Sequence, residues 1–366
     1  KISMEKDNKY IPINKGHFFD LEPPERIQAF KEKISRGWED EYNEYRKLWT
    51  ELPKKRIVRE YPLLVDLETV SRCNLSCPMC PTVTKEFVDK RVTPFKRGQI
   101  DFDLAKKIID EVAGKIYSLR FSWIGEPTLH KHLPDLIKYA KDKNIKETSF
   151  LTNGYKLKMK YFLKLVESGI DLITVSIDGM GENYNKIRYP LKFDETLQKL
   201  KDISKYKKEN NLEKPLIKIQ GVWPAIREYP EEFYNTFLPV TDLIAFNPLI
   251  DYLHNDNEIV YEDEFICPQH YQRIVVGSNG QGSMCSSDDF MDIEIGDFRK
   301  NSVYDVWHGE KFNKIRAMHE NNKFMEIKPC KNCYYPRKAQ ADEEAYINGR
   351  LVKIENYINR AQKVGE

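Results

Sequence analysis

Short apolar runs alternate with longer amphipathic stretches from residue 63 to residue 247. Leu63 to Val70 reads as a buried strand that leads straight into a cysteine-bearing loop. Further strands are predicted at 118–124, 146–151, 171–177, 216–222 and 243–246, with helices at 103–113, 133–143, 157–168, 194–209 and 229–237. Six strand–helix units in series predict an α/β fold with a parallel sheet and right-handed crossovers. Six units are too few to close the usual eight-stranded barrel, so a partial, open-sided (β/α)6 barrel is expected over residues 61–247. Its chemistry should lie on the loops after the C-terminal ends of the strands, where the cysteine loop falls.

The pattern differs on either side. Residues 1–60 are polar and aromatic, and Pro23-Pro24 marks a helix over 25–36, with another over 38–50. They read as a helical N-terminal extension. After residue 247 the alternation stops, and 248–266 reads as an acidic linker. In residues 267–340, a small second domain, 273–276 and 281–284 flank Gly277-Ser278-Asn279-Gly280 as a β-hairpin, and a helix follows near 302–319. Residues 341–366 read as a charged C-terminal helix, spanning roughly 341–363.

A net charge of +2 gives no reason to propose nucleic acid or an anionic membrane as partner. No apolar stretch approaches the ~20 residues that span a bilayer, and the first residues lack a signal-like apolar segment. Seven cysteines fit a secreted disulfide framework poorly, and metal–thiolate chemistry points to the cytoplasm.

Cys73, Cys77 and Cys80 are spaced C-x3-C-x2-C. Three thiolates can hold three irons of a four-iron cluster and leave one iron open to a small molecule. A zinc site with a fourth ligand elsewhere is the alternative, although zinc knuckles usually come as paired C-x2-C. Cys267, Cys285, Cys330 and Cys333 are spaced C-x17-C-x44-C-x2-C. Four thiolates saturate a four-iron cluster, and a tetrahedral zinc staple is again the alternative.

With these motifs in order, residues 63–340 resemble a radical S-adenosylmethionine (SAM) enzyme, that is, a partial (β/α)6 radical SAM barrel. Gly125-Glu126-Pro127 ends the second strand, with Ile124 where the family often has a further glycine. Leu151-Thr152-Asn153-Gly154 and Ser176-Ile177-Asp178-Gly179 end the third and fourth strands and also resemble family loops. The resemblance implies that Cys73, Cys77 and Cys80 hold a [4Fe-4S] cluster whose open iron binds SAM. It also implies SAM contacts from Gly125, Glu126, Pro127, Asn153, Ser176 and Asp178, and from Arg188 to the SAM carboxylate. Met79 stands where an aromatic residue is common. The second cysteine set, with Gly280 between Cys267 and Cys285, resembles the auxiliary-cluster SPASM domain in its shortened "twitch" form. A second [4Fe-4S] cluster is implied there.

In this family, reductive cleavage of SAM gives a 5′-deoxyadenosyl radical that takes a hydrogen atom from the substrate. The two sets use all seven cysteines, so no thiol remains to return a hydrogen atom as epimerases of this type often do, which leaves a tyrosine as the alternative donor. A two-electron oxidation of a small polar substrate (a sugar, aminocyclitol or nucleotide-sugar) through the auxiliary cluster is therefore expected. A peptide- or protein-modifying maturase and a redox-neutral epimerase are the alternatives. The resemblance implies a flavodoxin- or ferredoxin-type electron donor. Glu68, His130 and His132 are candidate bases, and Trp123 is a candidate cavity residue, because all lie near strand ends. Tyr334 and Tyr335 are expected to shield the second cluster.

Overall fold

The computed structural model describes residues 19–85, 87, 98–249, 256–360 and 364. Parts of the N-terminal extension, the linker and the C-terminal segment lie outside the described residues. Twelve strands are seen among the described residues: β1 Phe19–Asp20, β2 Leu64–Leu67, β3 Ser118–Arg120, β4 Glu147–Thr152, β5 Leu172–Ser176, β6 Leu216–Val222, β7 Leu243–Asn247, β8 Arg273–Val276, β9 Gln281–Ser283, β10 Glu294–Asp297, β11 Ala339–Ile347 and β12 Arg350–Tyr357.

β2 to β7 are parallel and lie in chain order, with helices between them. β2 and β7 end up at opposite ends of this run, so the barrel stays open. The helices form where apolar residues recur on one face. Phe102–Val112 buries Ala105, Ile108, Ile109 and Val112, and Asp101 caps it by accepting from the Leu104 N–H at 2.9 Å. Met159–Ser168 stops at Gly169, which takes the left-handed φ of 77°. No helix among the described residues is long and apolar enough to cross a membrane.

An open sheet leaves unpaired backbone at both edges. Here β1 pairs antiparallel with β7, and β8 pairs parallel with β2, so both edges of the six-stranded run are covered. The second domain thus extends the barrel's own sheet rather than hanging from a linker. Asp66, fully buried in β2, makes ion pairs with Arg120 of β3 (2.7 Å) and Arg273 of β8 (3.3 Å), which ties the three strands together.

The N-terminal helices Pro24–Ser35 and Glu39–Lys55 pack at the N-terminal ends of the strands. Lys33 pairs with Asp242 at 3.1 Å, Lys214 Nζ donates to the Ile34 carbonyl at 3.2 Å, and Trp38, Tyr45 and Trp49 pack with Leu63, Leu64 and Tyr271 in a satellite core. That end of the sheet is opposite the cysteine loop.

Two expectations are corrected. The expected C-terminal helix is the antiparallel hairpin β11–β12. Asn348 (φ 49°) and Gly349 (φ 75°) form its two-residue turn, a strong hairpin signal, and β12 alternates buried and exposed residues as a strand does. The single helix expected near 302–319 is two, Val303–Trp307 and Glu310–Glu320, with the break at His308-Gly309. The first has a capping box from Ser302 and Asp305.

Candidate active site

Every strand of the parallel run ends at one cavity of about 270 Å³. Cys73, Cys77 and Cys80 line it from the loop after β2, and Ser122 to Glu126 from the loop after β3. Leu151 to Asn153 follow from β4, Ser176 and Asp178 from β5, Gln220 to Val222 from β6 and Asn247 from β7. Ser286 and Asp289 close it from the second domain.

The cysteine loop is fixed from below by Gly125. A Cβ there would collide with the Val70 carbonyl oxygen and stand 2.7 Å from that of Arg72, so only glycine fits. The close approach made at this glycine is therefore to the chain's own cysteine loop, and the next N–H, of Glu126, donates to the Arg72 carbonyl at 2.9 Å. Asn153 reaches the same loop: its Nδ2 donates to Asn74 Oδ1 at 2.9 Å and lies 3.7 Å from Cys73 Sγ.

Glu126 is buried, and its carboxylate collects donors: the Asn153 N–H (2.8 Å), the Thr152 hydroxyl (2.7 Å), and the N–H and hydroxyl of Thr128. Burial raises its carboxyl above the usual range, and these donors oppose the rise. Buried Asp178 and half-buried Arg188 pair along the cavity wall. Arg188 Nε donates to Asp178 Oδ2 at 2.7 Å, and the Val222 N–H donates to Asp178 Oδ1 at 2.9 Å. Gly221 brings β6 against the β5 end, for a Cβ there would lie 2.5 Å from the Ile177 carbonyl oxygen. Burial pushes the Cys77 thiol up to about 11 and raises Cys73 and Cys80 as well. A bound cation is what would hold these three as thiolates.

The other four cysteines converge on a second, smaller cavity. Cys267, Cys285, Cys330 and Cys333 all line it, with Phe265, His270, Met284, His319 and Tyr335. The segments that carry them are 18 to 63 residues apart in the chain, yet all four residues line this one cavity. His270 is fully buried there, and neither of its ring nitrogens finds a hydrogen-bond partner among the described residues. A closed, cysteine-walled space with unspent polar atoms suits a bound cluster. A hydrogen-bonded path joins the two cavities. Trp123, in the first wall, donates its indole N–H to the Ser286 carbonyl at 2.9 Å, and Ser286 donates to Gln269 in the second wall at 2.8 Å.

Of the sequence-predicted residues, Gly125, Glu126, Asn153, Ser176, Asp178 and Arg188 line the first cavity together with Trp123. Pro127 lies just beyond it, opening the short helix Pro127–Leu129. The three candidate bases have other places. Glu68 accepts the Ser278 N–H at 3.0 Å and so caps the β8–β9 turn. His130 Nδ1 accepts the His132 N–H at 3.2 Å while its Nε2 meets the Ile100 carbonyl at 3.3 Å. His132 pairs with Asp135 on the surface. Tyr335 lines the second cavity, and its neighbour Tyr334 stacks on it at 4.7 Å.

Sequence reading missed Ser122, Gln220, Gly221, Asn247, Ser286 and Asp289. Gln220 and Asn247 were findable, since Gln220 lies near the C-terminal end of the strand predicted at 216–222 and Asn247 directly follows the one predicted at 243–246. Ser286 and Asp289 follow Cys285 and reach the first cavity only because β8 docks on β2.

This geometry is that of an enzyme that places a small cofactor over a three-cysteine loop beside a second cysteine-bound centre. Residues 67–216 match the radical SAM superfamily, and residues 267–334 match the SPASM iron–sulfur cluster-binding domain. Residues 67–216 thus carry a radical SAM domain and residues 267–334 a SPASM domain, and such domains bind SAM and iron–sulfur clusters. Among curated relatives it is similar to the tungsten-containing aldehyde ferredoxin oxidoreductase cofactor-modifying protein of Pyrococcus furiosus, with 28% identity over 273 residues, 71% of this chain and 72% of that one. A probable GTP 3′,8-cyclase of Methanococcus maripaludis is 45% identical over 122 residues, 33% of this chain and 38% of its own, so the chain spans well under half of that relative. Among solved structures, BtrN in complex with AdoMet and 2-DOIA shares the fold at a TM-score of 0.52 and 18% identity, over 76% of this chain and 94% of that one.

Proposed function

We propose that this chain is a radical SAM dehydrogenase that oxidises a carbinol of a small polar substrate, a sugar, aminocyclitol or nucleotide-sugar. In this reading Cys73, Cys77 and Cys80 hold the SAM-binding cluster. Asn153, Ser176, Asp178, Arg188 and the Gly125-Glu126-Pro127 turn position SAM. Cys267, Cys285, Cys330 and Cys333 hold a saturated auxiliary cluster. Once bound, cluster and SAM together supply a carbon-centred radical that removes a hydrogen atom from the substrate.

The protein's part is to orient the substrate, exclude water and give the remaining proton and electron separate exits. Carbinol to carbonyl is a two-electron oxidation: beyond the abstracted hydrogen atom it releases one proton, which a base would take, and one electron, which a cluster held by Cys267, Cys285, Cys330 and Cys333 would be suited to accept. The observation that carries this reading is that four cysteines line the second cavity and three the first, which uses all seven. A cluster with four thiolates has no iron to offer substrate and is suited to take an electron. Asp289 lines the first cavity from the second domain, where a carboxylate between the two centres suits proton removal. A flavodoxin- or ferredoxin-type donor in the cytoplasm would supply the reducing electron for SAM. The likeness to BtrN, a structure that holds AdoMet and 2-DOIA, favours a small aminocyclitol-like substrate, of the kind a 2-deoxy-scyllo-inosamine dehydrogenase acts on. Peptide modification is the second reading, favoured by the similarity to the PqqA peptide cyclase of Bradyrhizobium diazoefficiens (32% over 135 residues).

The test is anaerobic turnover of reconstituted protein with SAM, reductant and a panel of aminocyclitols, sugars and nucleotide-sugars. The expected result is substrate-dependent 5′-deoxyadenosine with an equal amount of a product two mass units lighter. A product isomeric with its substrate, or turnover with peptides alone, would overturn it.

A further inference from the structure

We infer that His319 donates a hydrogen bond to the auxiliary cluster through Cys330 Sγ and raises that cluster's reduction potential. His319 sits on the helix Glu310–Glu320, buried in the wall of the second cavity. Its Nδ1 accepts the backbone N–H of Cys267 at 3.3 Å. A ring nitrogen that accepts a hydrogen bond carries no proton, so the proton of the ring is on Nε2. That nitrogen lies 3.6 Å from Cys330 Sγ, within reach of an N–H···S bond.

The ring has little freedom to turn. Phe324 stacks on it with centroids 6.0 Å apart, Phe265 meets it at 5.9 Å, and His270 packs edge-on at 4.7 Å. One imidazole therefore touches two of the four cysteines, from segments that are far apart in the chain. A donor on a ligating sulfur draws electron density from it and stabilises the reduced cluster more than the oxidised one. A neutral donor does this without a buried charge. The direction suits an electron acceptor: the auxiliary cluster takes an electron more readily than it would without the bond. The inference rests on Cys267, Cys285, Cys330 and Cys333 holding a four-iron cluster, and on nothing about the substrate.

The test uses the Cys73→Ala/Cys77→Ala/Cys80→Ala protein, so that the auxiliary cluster alone is titrated, by EPR against solution potential. His319→Asn keeps an acceptor near the Nδ1 position and removes the donor; His319→Gln keeps a donor near Nε2. The midpoint is expected to move to a more negative potential in His319→Asn and to stay close to the parent in His319→Gln. An unchanged midpoint in His319→Asn overturns the inference. If neither variant retains iron, pulsed EPR of the parent with ¹⁵N-histidine and His270→Phe decides: a weak nitrogen coupling is expected, and its absence overturns the inference. A triple-cysteine protein without any iron would instead remove the cluster itself, and the inference with it.

Discussion

The two cysteine sites differ in what lies around their sulfurs. The first opens on a cavity of about 270 Å³ whose wall carries hydrogen-bonding groups from every parallel strand. The second is a small closed space walled by cysteines, aromatic rings, two histidines and a methionine. One site has room and donors for an organic cofactor; the other is only about 10 Å³ and has no room for one. Ligand count and cavity size thus agree, three cysteines beside a large binding cavity and four around a small one. The lesson is that the division of labour is built by the sheet. The C-terminal ends of β2–β7 supply the open wall, and β8, by pairing with β2, carries the closed site alongside.

That contrast can be broken at chosen points, and the largest effect should come at Gly125. A methyl group there collides with the backbone that carries Cys73, so Gly125→Ala should cut SAM cleavage by about 100-fold or more. Counting 5′-deoxyadenosine formed under saturating SAM measures it, and near-normal cleavage would refute the backbone argument. Cys285→Ala should do the reverse. SAM cleavage persists because the first site is untouched, while the two-electron product is lost; equal loss of both would mean that the sites do not work separately.

A smaller effect is expected at the Asp178–Arg188 pair. Arg188→Ala leaves Asp178 buried beside the cavity without its cation, and SAM binding should weaken by about 2 kcal/mol, or roughly 30-fold in Kd. Equilibrium binding to the reconstituted protein reads this directly.

The smallest effect on the chemistry should come at the far end of the sheet. Burial works against ionisation of Asp242, but Lys207, the Ile217 N–H and Lys33 together hold its carboxyl below the usual range. A depressed acid stabilises the fold above its unfolded value near ~4 and loses that contribution as pH falls through the folded one. Asp242→Asn should cost about 3 kcal/mol at neutral pH, less toward pH ~3, with unaltered SAM cleavage per folded molecule. Denaturant unfolding at the two pH values checks it.

Much of this was legible in the sequence because it is local. The strand–helix alternation is written in apolar spacing, and the C-x3-C-x2-C loop, Gly-Glu-Pro and Ser-Ile-Asp-Gly each sit within a few residues at a strand end. What escaped was set by long-range pairing. Glu68 looked like a cavity carboxylate, but its neighbour β8 turns it into a cap for the Ser278 N–H. Asp289 carries no local signal and reaches the first cavity through the same docking. His319 carries no local signal at all: its meaning depends on Cys267 and Cys330 being brought to either side of one ring. The C-terminal hairpin is a different kind of miss, since Asn348-Gly349 announced the turn and the charged composition around it was read as helical.

The most direct test of the two-site account is an iron count. The protein and its Cys73→Ala/Cys77→Ala/Cys80→Ala variant are reconstituted anaerobically with iron and sulfide, and Mössbauer spectra are recorded for both. Two four-iron clusters predict about eight irons in the intact protein and about four in the variant, held by the closed site alone. About four irons in the intact protein and none in the variant would contradict the account. The second cavity would then hold no electron acceptor, and a redox-neutral radical reaction, with a structural zinc among the four C-terminal cysteines, would replace the oxidation.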